Sequence, residues 1–442
     1  MAVTPASPQD SISRALAESL PWLWSALDEL PAAVEQRARR LWLDTAACAH
    51  SGLRAEETRR WLAACAQGDA GNVPLPGVAR RASAPGAAMA MALGACWDEA
   101  CEGLALAHGR PGVPVVAALW SLLPQAAPSW GGLWQATAAG YEVAARLGAR
   151  LRIRPGMHVD GTWGAFGAAV AAVRLGGGSW QQALAAVEAA ATQLPFTLLR
   201  PVRQGANVRN LYLGHSAWLG LQAAQAVRAG LATPDGAVDD FAALALDGAA
   251  TGTWIAPGRW LILESYWKPF AAVRHLHYGA AAALELRARG LRPETIEALR
   301  LRVYPEALQY CGNRAPATPL AAQFSLSFGV AAALAFGDLS PAEFRAPRFH
   351  DALLRRLEAL VTIEPDARTF AGAERGAVLE VRAQGRDWCH CQGAVAGDVG
   401  CEPDDDAIRA KFTRYTDDDE AMAAWARRVE QDPPQAAAGL PT

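Results

Sequence analysis

Apolar residues recur every three to four positions through most of the first 250 residues, and this period constrains the fold more than any other feature. The α-helix has 3.6 residues per turn, so each segment with this period predicts a helix with one apolar face. Many of these faces carry alanine and glycine, which allow helices to approach closely. Clear examples are PAAVEQRARRLWLDTAACAH (31–50), WGGLWQATAAGYEVAARLGARL (130–151) and SWQQALAAVEAAATQL (179–194).

The character of the chain changes after a connector at 250–265. Helices are still predicted at about 273–290 and 319–336, but strand-like segments rich in β-branched residues lie between and beyond them. These segments are IEALRLRVYP (296–305), ALVTIEP (359–365) and AVLEVRAQG (377–385). After residue 402 the helical pattern returns, with aspartates suited to cap a helix, and the last residues from about 432 are expected to fray. We therefore predict a mainly α protein with a helical domain (1–265), an α+β domain (266–402) and a C-terminal helical segment (403–442) that rejoins the first.

Composition limits the function classes. The chain is 52% hydrophobic and 19% charged, which is enough apolar material for a large buried core. Its formal net charge of -3 gives no general attraction for nucleic acid or an anionic membrane. The N-terminus has no signal-peptide pattern and no apolar run is long enough to span a bilayer, so we expect a cytoplasmic protein with reduced cysteines.

The one close cysteine pair is in the CHC run at 389–391. In an extended segment, Cys389 and Cys391 would point to one face and His390 to the other, which is a poor arrangement for a metal site. We therefore expect no metal and no other cofactor.

Positive and titratable side chains gather in SYWKPFAAVRHLHYG (265–279), immediately before an apolar helical run. Lys268, Arg274, His275 and His277 all lie there. A helix N-terminus already carries partial positive charge, so further cations are unfavourable unless a negative group binds. This pattern predicts an anionic ligand.

Two other loops before helices carry similar side chains. His158 lies in a glycine-bounded loop, where it is either a reactive group or a histidine that satisfies loop carbonyls. Arg209 and Tyr212 precede another apolar run, and Arg209 either binds a carboxylate or is a surface cation.

Acidic and basic residues are also mixed in ACWDEACEGLALAHGRPG (95–112), which contains Asp98, His108 and Arg110. Such a mixture suits proton transfer, although helix capping and a turn explain it equally well. Tyr310 lies in a turn before a further helix. Taken together, these clusters at junctions between loops and helices predict a pocket for a small polycarboxylate.

Several segments resemble the MmgE/PrpD family, which includes 2-methylcitrate dehydratase, cis-aconitate decarboxylase and iminodisuccinate epimerase. They are HGRPGVPVVAAL, GYEVAARLG, GMHVDGTWGAFGAAVAAVRL, WKPFAAVRHLHYGAAAALEL, PLAAQFSLSFGVAAAL and DDDAIRAKFTRYT, in the family's order between about residues 30 and 415. The resemblance implies a large helical domain, a smaller α+β lid domain and a homodimer with the active site between domains.

The resemblance also implies roles for individual residues. His158 matches the histidine of the family's GxHPTG-like loop, His277 matches the histidine after KPYPCC, and Lys268 matches the lysine of that second motif. The chain departs from the family where DFDDT becomes CWDEA and where Arg110 takes the place of the histidine in HPG. Arg209 and Tyr212 replace the lysine and histidine of K-x-L-H-x-G.

An arginine keeps its charge but does not release a proton near neutral pH. We therefore assign proton transfer to His158 and His277, assisted by Tyr212, Tyr310 or Asp98. The residues expected to bind substrate carboxylates are His108, Arg110, Arg209, Lys268 and Arg274.

The leading functional hypothesis is a cofactor-independent hydro-lyase that acts on a small hydroxylated di- or tricarboxylate. An epimerase or isomerase of a dicarboxylate and a decarboxylase are the alternatives within the family. A family member that binds a carboxylate without catalysis is the alternative from another class.

Overall fold

A computed structural model of the chain describes residues 11–65, 71–246, 252, 254–371 and 374–441. The predicted connector at 250–265 lies partly outside these residues. The described residues are mainly α-helical with two small sheets, which confirms the prediction of a mainly α protein. None of the described helices combines the length and the apolar character that a membrane crossing requires.

The helices before residue 246 follow the predicted 3.6-residue period. They are α1 (Ile12–Asp28), α2 (Ala32–Leu53), α3 (Glu56–Cys65), α4 (Ala84–Trp97), α5 (Gly112–Ala126), α6 (Trp130–Arg150), α7 (Gly164–Leu175), α8 (Trp180–Ala191), α9 (Arg200–Gln204), α10 (Leu211–Arg228) and α11 (Ala237–Ala245). Helices α4, α5, α6, α7 and α10 pack against one another in the centre of this region.

Glycine and alanine allow these central helices to cross closely, as the sequence predicts. A Cβ atom added to Gly140 of α6 would lie 2.5 Å from the carbonyl oxygen of Gly167 in α7. A Cβ atom on Gly220 of α10 would lie 2.6 Å from the carbonyl oxygen of Ala165. No side chain fits at either position without moving a neighbouring helix backbone.

The prediction of an all-helical first region is wrong at one place. Strands β1 (Val73–Leu75) and β2 (Val78–Ala82) form a small antiparallel hairpin. Between the two strands, Gly77 of the segment PLPG adopts a φ of 73° and turns the chain back on itself. A three-residue strand is too short for a clear alternating pattern, so the sequence did not reveal it.

The second region contains a four-stranded sheet in the order β4-β3-β5-β6. Its strands are β3 (Ile296–Val303), β4 (Val361–Pro365), β5 (Ala377–Ala383) and β6 (Arg386–Gln392). The first three lie within the predicted strand segments. Strand β3 is parallel to β4 and antiparallel to β5, and β5 forms a hairpin with β6.

The helices of this region are α12 (Arg274–Ala288), α13 (Pro305–Cys311), α14 (Pro319–Gln323), α15 (Leu326–Phe336) and α16 (Ala352–Leu360). Helix α12 packs against α15 and against strands β5 and β6. The segment predicted as one helix at 319–336 is divided by Phe324 and Ser325.

The C-terminal segment forms α17 (Asp405–Thr416), capped by Asp404, and α18 (Glu420–Gln431). Helix α17 packs against α2, where Lys411 forms a buried ion pair with Asp44. The prediction that the last residues fray is wrong for those the structure describes. The amide N–H of Ala438 donates to the Pro128 carbonyl at 2.8 Å, and the Trp425 indole donates to the Gly439 carbonyl at 2.8 Å.

Candidate functional site

Four of the predicted site residues meet where helices begin. Arg110 lies before α5, His158 before α7, Arg209 in a short 3₁₀ turn before α10, and Lys268 before α12. Each of these four side chains is at least nine-tenths buried. The structure therefore brings together residues that lie far apart in the sequence. The most distant two, Arg110 and Lys268, are 158 positions apart.

Glu99 lies between the cations and contacts all three. Its side chain forms ion pairs with Arg209 and with Arg110, the latter at 3.1 Å. The Lys268 ammonium donates to the Glu99 backbone carbonyl at 2.8 Å and lies 3.3 Å from its carboxylate. Glu99 lies in the segment 95–112 that mixes acidic and basic residues, but it was not predicted to belong to the site.

Asp160 is the second carboxylate of the cluster. It pairs with Arg110 and lies 3.5 Å from Arg209. Burial by itself raises the pKa of Asp160 and of Glu99, but the neighbouring cations outweigh burial and hold both pKa values below the usual range. Both acids are therefore ionised at neutral pH, and three cations face two carboxylates. We call Glu99, Arg110, Asp160, Arg209 and Lys268 the charged cluster, and its net charge is one positive unit.

His158 lies beside the charged cluster in a fixed orientation. Its backbone N–H donates to the Thr197 carbonyl at 2.9 Å, and the Thr197 hydroxyl donates back to the His158 carbonyl at 2.7 Å. The ring Nδ1 accepts a hydrogen bond from the Asp160 backbone N–H at 3.0 Å. Burial is the main cause that lowers the pKa of His158 to about 4; the nearby arginines add to it, and Asp160 partly offsets it.

These contacts decide where the His158 proton is. The ring is neutral at pH 7, and its Nδ1 is an acceptor, so the single ring proton lies on Nε2. Nε2 has no hydrogen-bond partner within the described part of the chain. In this state His158 can donate a hydrogen bond through Nε2 and cannot accept a proton there.

Tyr212 lies close to His158, with 5.8 Å between the ring centroids. Its hydroxyl donates to the Leu198 carbonyl at 3.1 Å. Tyr212 therefore lies beside His158.

His277 and Arg274 bind each other instead of the charged cluster. His277 is fully buried, and its Nε2 lies 3.0 Å from the Ala272 carbonyl while Nδ1 lies 3.2 Å from the Arg274 guanidinium. Arg274 forms an ion pair with Asp398. Burial, and then the charges of Arg274 and Lys268, keep the pKa of His277 well below its ordinary value.

Asp98 points away from the charged cluster although it precedes Glu99 in the chain. It accepts a hydrogen bond from the Ser51 hydroxyl at 2.7 Å and pairs with Arg345 at 3.0 Å. Asp98 is 3% exposed. These contacts connect α2 to the segment that contains Arg345, so Asp98 has a structural role.

Two predicted site residues have exposed side chains. His108 is exposed and has a φ of 53°, in the left-handed region. Tyr310 is 45% exposed, and its ring stacks on His275 with 5.6 Å between centroids and 11° between planes. The described contacts do not join either residue to the charged cluster.

The pairing of acids with the predicted cations was not visible in the sequence. Glu99 and Asp160 each lie within two residues of a predicted site residue, so composition gave a signal. It could not show which side chain of the Asp98 and Glu99 pair points inward, because that depends on the backbone direction after α4 ends at Trp97.

On strand β6, Cys389 and Cys391 are exposed while His390 is partly buried and lies 3.0 Å from Arg289. The alternation predicted for the CHC run is therefore observed. Within the described residues, no group of three or more His, Cys, Asp or Glu side chains has an arrangement that could hold a metal ion.

Comparison with known families gives two matches. Residues 25–245 match the MmgE/PrpD N-terminal domain, and residues 270–430 match the MmgE/PrpD C-terminal domain. A comparison with curated proteins finds no match.

Proposed function

Because the chain belongs to the MmgE/PrpD family, we propose that it is a hydro-lyase that removes water from a small hydroxylated di- or tricarboxylate. The observation that carries this proposal is the buried charged cluster with one excess positive charge, next to a neutral histidine whose Nε2–H can donate. The preference for an anionic substrate is supported by the charge of the cluster, and the polycarboxylate class is supported by the family. The reaction type follows from the family.

The charged cluster suits an anionic substrate for two electrostatic reasons. Its excess positive charge is compensated when one substrate carboxylate binds. Helices α5, α7 and α10 begin within four residues of Arg110, Asp160 and Arg209, so their N-termini add partial positive charge nearby. In a buried site, these charges act with little screening by water.

The same charges lower the barrier for proton removal. Breaking a C–H bond next to a carboxylate leaves its electron pair on the carbon and spreads negative charge into that carboxylate. Cations and donors that are already oriented stabilise this charge without reorganisation. We assign binding of the substrate carboxylate to Arg110, Arg209 and Lys268. In this assignment His158 donates a hydrogen bond to the same carboxylate through Nε2.

The pairing with Glu99 and Asp160 has a function in this scheme. It holds the arginines in one orientation before substrate arrives, so little conformational entropy is lost on binding. It also prevents three unpaired cations from repelling one another in a buried site.

We further propose that residues 266–402 form a lid over the helical domain and that the protein is a homodimer. Lys268 of the second region contacts Glu99 of the first, which is the contact expected if the site lies between the two regions. The dimer rests on the resemblance to the family. Sedimentation equilibrium tests it, and a mass equal to one chain would contradict it.

Proton NMR in D2O tests the reaction. The protein is incubated with citrate, 2-methylcitrate, malate and tartrate, and we expect new vinyl signals from one of them. Loss of an α-proton signal without a vinyl product would indicate an epimerase, and release of CO2 from cis-aconitate would indicate a decarboxylase. Ligand-dependent melting with no turnover would indicate a binding protein.

Arg209→Met is the matched variant, because it keeps the length of the side chain and removes the charge. We expect KM to rise strongly and the protein to remain folded with reduced stability, since Arg209 would hold a substrate carboxylate in both the ground and transition states. Arg14→Met, on the exposed surface of α1, is the control and should leave KM unchanged.

A further inference from the structure

Lys411 of helix α17 is a buried cation outside the charged cluster. Its ammonium pairs with Asp44 of α2 and donates to the Ala100 carbonyl at 2.7 Å. Both charged residues are at least nine-tenths buried. Burial by itself lowers the pKa of Lys411, but Asp44, with smaller contributions from nearby thiols, outweighs burial and holds this pKa above its ordinary value. Lys411 is therefore a charged hydrogen-bond donor in the interior at neutral pH.

Lys411 contacts one chain neighbour of each residue in the Glu99–Lys268 ion pair. Ala100, whose carbonyl accepts from Lys411, follows Glu99 in the chain. Trp267, whose ring centroid lies 4.9 Å from the Lys411 ammonium, precedes Lys268. A lysine ammonium at this distance from an indole ring is attracted to it. One side chain of the C-terminal segment therefore holds both of the chain segments that meet in this ion pair.

The backbone at Glu99 needs support from its surroundings. Glu99 has a φ of 53°, in the left-handed region that residues with a side chain rarely adopt. Such a conformation persists only where the surrounding structure holds it. Two lysines donate to consecutive carbonyls here, since Lys268 binds the Glu99 carbonyl at 2.8 Å and Lys411 binds the next one. The direction of the Glu99 carboxylate depends on this backbone.

We propose that Lys411 is a positioning residue for the charged cluster. It fixes the Glu99 and Lys268 segments relative to each other. Glu99 in turn orients Arg110 and Arg209 through its ion pairs. The inference rests on the function proposed above, because it assigns a residue that supports the substrate-binding site of that reaction. It also gives the C-terminal segment, which contributes no side chain to the charged cluster, a part in substrate binding.

The Glu142–Arg146 ion pair of helix α6 provides the matched control. Both of its side chains are also buried. Arg146 donates to the Arg259 carbonyl at 2.7 Å, and Glu142 accepts from the Ile262 N–H at 2.9 Å. Neither side chain has a described contact with the charged cluster. Loss of this pair should therefore lower stability without changing how the candidate site binds an anion.

The test compares two double variants of the full-length protein. Asp44→Asn with Lys411→Met removes both charges of one pair together, so that no charge is left buried without a partner. Glu142→Gln with Arg146→Met does the same for the control pair. Both variants should remain folded with a lower melting temperature. The probe is propane-1,2,3-tricarboxylate, which carries three carboxylates and no hydroxyl to eliminate, and isothermal titration calorimetry measures its Kd.

We expect the Kd of this probe to rise by about 10- to 100-fold in the Asp44→Asn, Lys411→Met variant, because a small displacement of binding groups is enough for a loss of that size. The control variant should keep the wild-type Kd. In an Arg209→Met background, removal of the Lys411 pair should have a smaller effect, since Lys411 acts on binding partly through that arginine. An unchanged Kd in the first variant, or an equal loss in both, would overturn the inference.

Trp267→Leu is the second variant, in case the first does not fold. It leaves the Lys411–Asp44 pair intact and removes only the contact between the ammonium and the indole ring. We expect the Kd of the probe to rise by about 3-fold or more. A wild-type Kd in this variant would count against a role of Lys411 in holding the Lys268 segment.

A crystal structure of the Asp44→Asn, Lys411→Met variant tests the positioning without any ligand. We expect the Lys268 ammonium to move away from the Glu99 carboxylate, from which it lies 3.3 Å in the wild-type protein, or Glu99 to leave the left-handed region. If neither changes, Lys411 does not position the cluster. If wild-type protein neither binds the probe nor turns over any of the acids, the proposed function fails, while this structure still decides the role of Lys411.

Discussion

At the scale of single residues, the cations that the sequence assigns to substrate already bind carboxylates of the protein. Arg110 and Arg209 both contact Glu99 and Asp160, and Lys268 contacts Glu99. A charged group is buried at low cost only where such partners exist. The cluster is therefore both a stabilising network and the candidate binding site, and substitutions in it should affect folding as well as activity.

Glu99→Gln tests the network. The substitution preserves size but leaves three buried cations with one carboxylate, so we expect a loss of roughly 3 to 5 kcal/mol in the free energy of unfolding. Urea denaturation measures it. Glu18→Gln is the control, because Glu18 forms an exposed pair with Arg14 and should change stability by less than about 0.5 kcal/mol. Equal small effects of the two variants would contradict a buried network at Glu99.

Glu102 differs from Glu99 although it is only three residues away. It accepts hydrogen bonds from the Gly112 N–H at 2.7 Å and the Tyr141 hydroxyl at 3.3 Å, and the ion pairs of the structure do not include it within the described residues. Burial raises the pKa of Glu102 to about 8, and the hydrogen bond from Gly112 only partly offsets this. The side chain is therefore largely protonated at neutral pH.

This difference predicts a pH dependence. The folded-state pKa is higher than the unfolded-state pKa of about 4.3, so the folded protein binds more protons between these values. Glu102 therefore lowers stability as pH rises from about 4.3 to about 8. We expect Glu102→Gln to unfold at a higher urea concentration than wild type at pH 8, with a smaller difference at pH 5. The same difference at both pH values would contradict a raised pKa.

At the scale of elements, long periodic helices and alternating strands form where their patterns predict them. Strands β3, β4 and β5 and helix α12 match their predicted segments within a few residues. Elements without a long pattern were missed, such as the β1–β2 hairpin. The predicted C-terminal helix is interrupted because Asp417 and Asp418 adopt left-handed φ values of 49° and 57°. Local turn geometry decided these cases.

The crossing of α6 and α7 gives a prediction at this scale. Gly140→Ala places a Cβ atom against the Gly167 carbonyl of the facing helix, where only a backbone shift can relieve the clash. We expect a loss of about 1 to 3 kcal/mol in the free energy of unfolding. Gly132→Ala in the same helix is the matched control, since its nearest neighbour would lie at 3.5 Å. That variant should gain up to about 1 kcal/mol, and a loss of similar size in both variants would exclude the close crossing as the cause.

At the scale of the whole molecule, titratable groups are buried in both sequence regions. His158, His275 and His277 all have lowered pKa values, mainly because burial disfavours the imidazolium. Each histidine is neutral in the folded protein at a pH where the unfolded chain is partly protonated. Together they affect how the free energy of unfolding of the whole protein changes with pH.

The three histidines predict that the protein is sensitive to acid. The unfolded state binds more protons below its histidine pKa of about 6.5, so their contribution to stability is complete above that pH and is lost as pH falls towards 4. Glu102 acts in the opposite direction, so the Glu102→Gln variant gives the clearer measurement. We expect its melting temperature to fall between pH 7 and pH 5. A constant melting temperature over this range would contradict neutral buried histidines.

The sequence by itself determined the fold class, the family and the residue types of the candidate site. Helical and strand periods are local, and the motifs carry their own order along the chain, so both can be recognised without coordinates. Arg110, His158, Arg209 and Lys268 were identified in this way. Each of them lies in a loop or a 3₁₀ turn before a helix, and helix starts have local sequence signals.

Only the tertiary structure decided which of these side chains meet and in what state. The direction of a side chain after a loop depends on packing against distant elements, so the sequence could not choose Glu99 over Asp98 or distinguish the surroundings of His275 and His277. Burial and charge at close range then set the protonation states, because the pKa of a histidine or carboxylate depends on neighbours far away in the chain. The residue types come from the sequence, and the ion pairs, the tautomer of His158 and the buried position of His277 come from the fold.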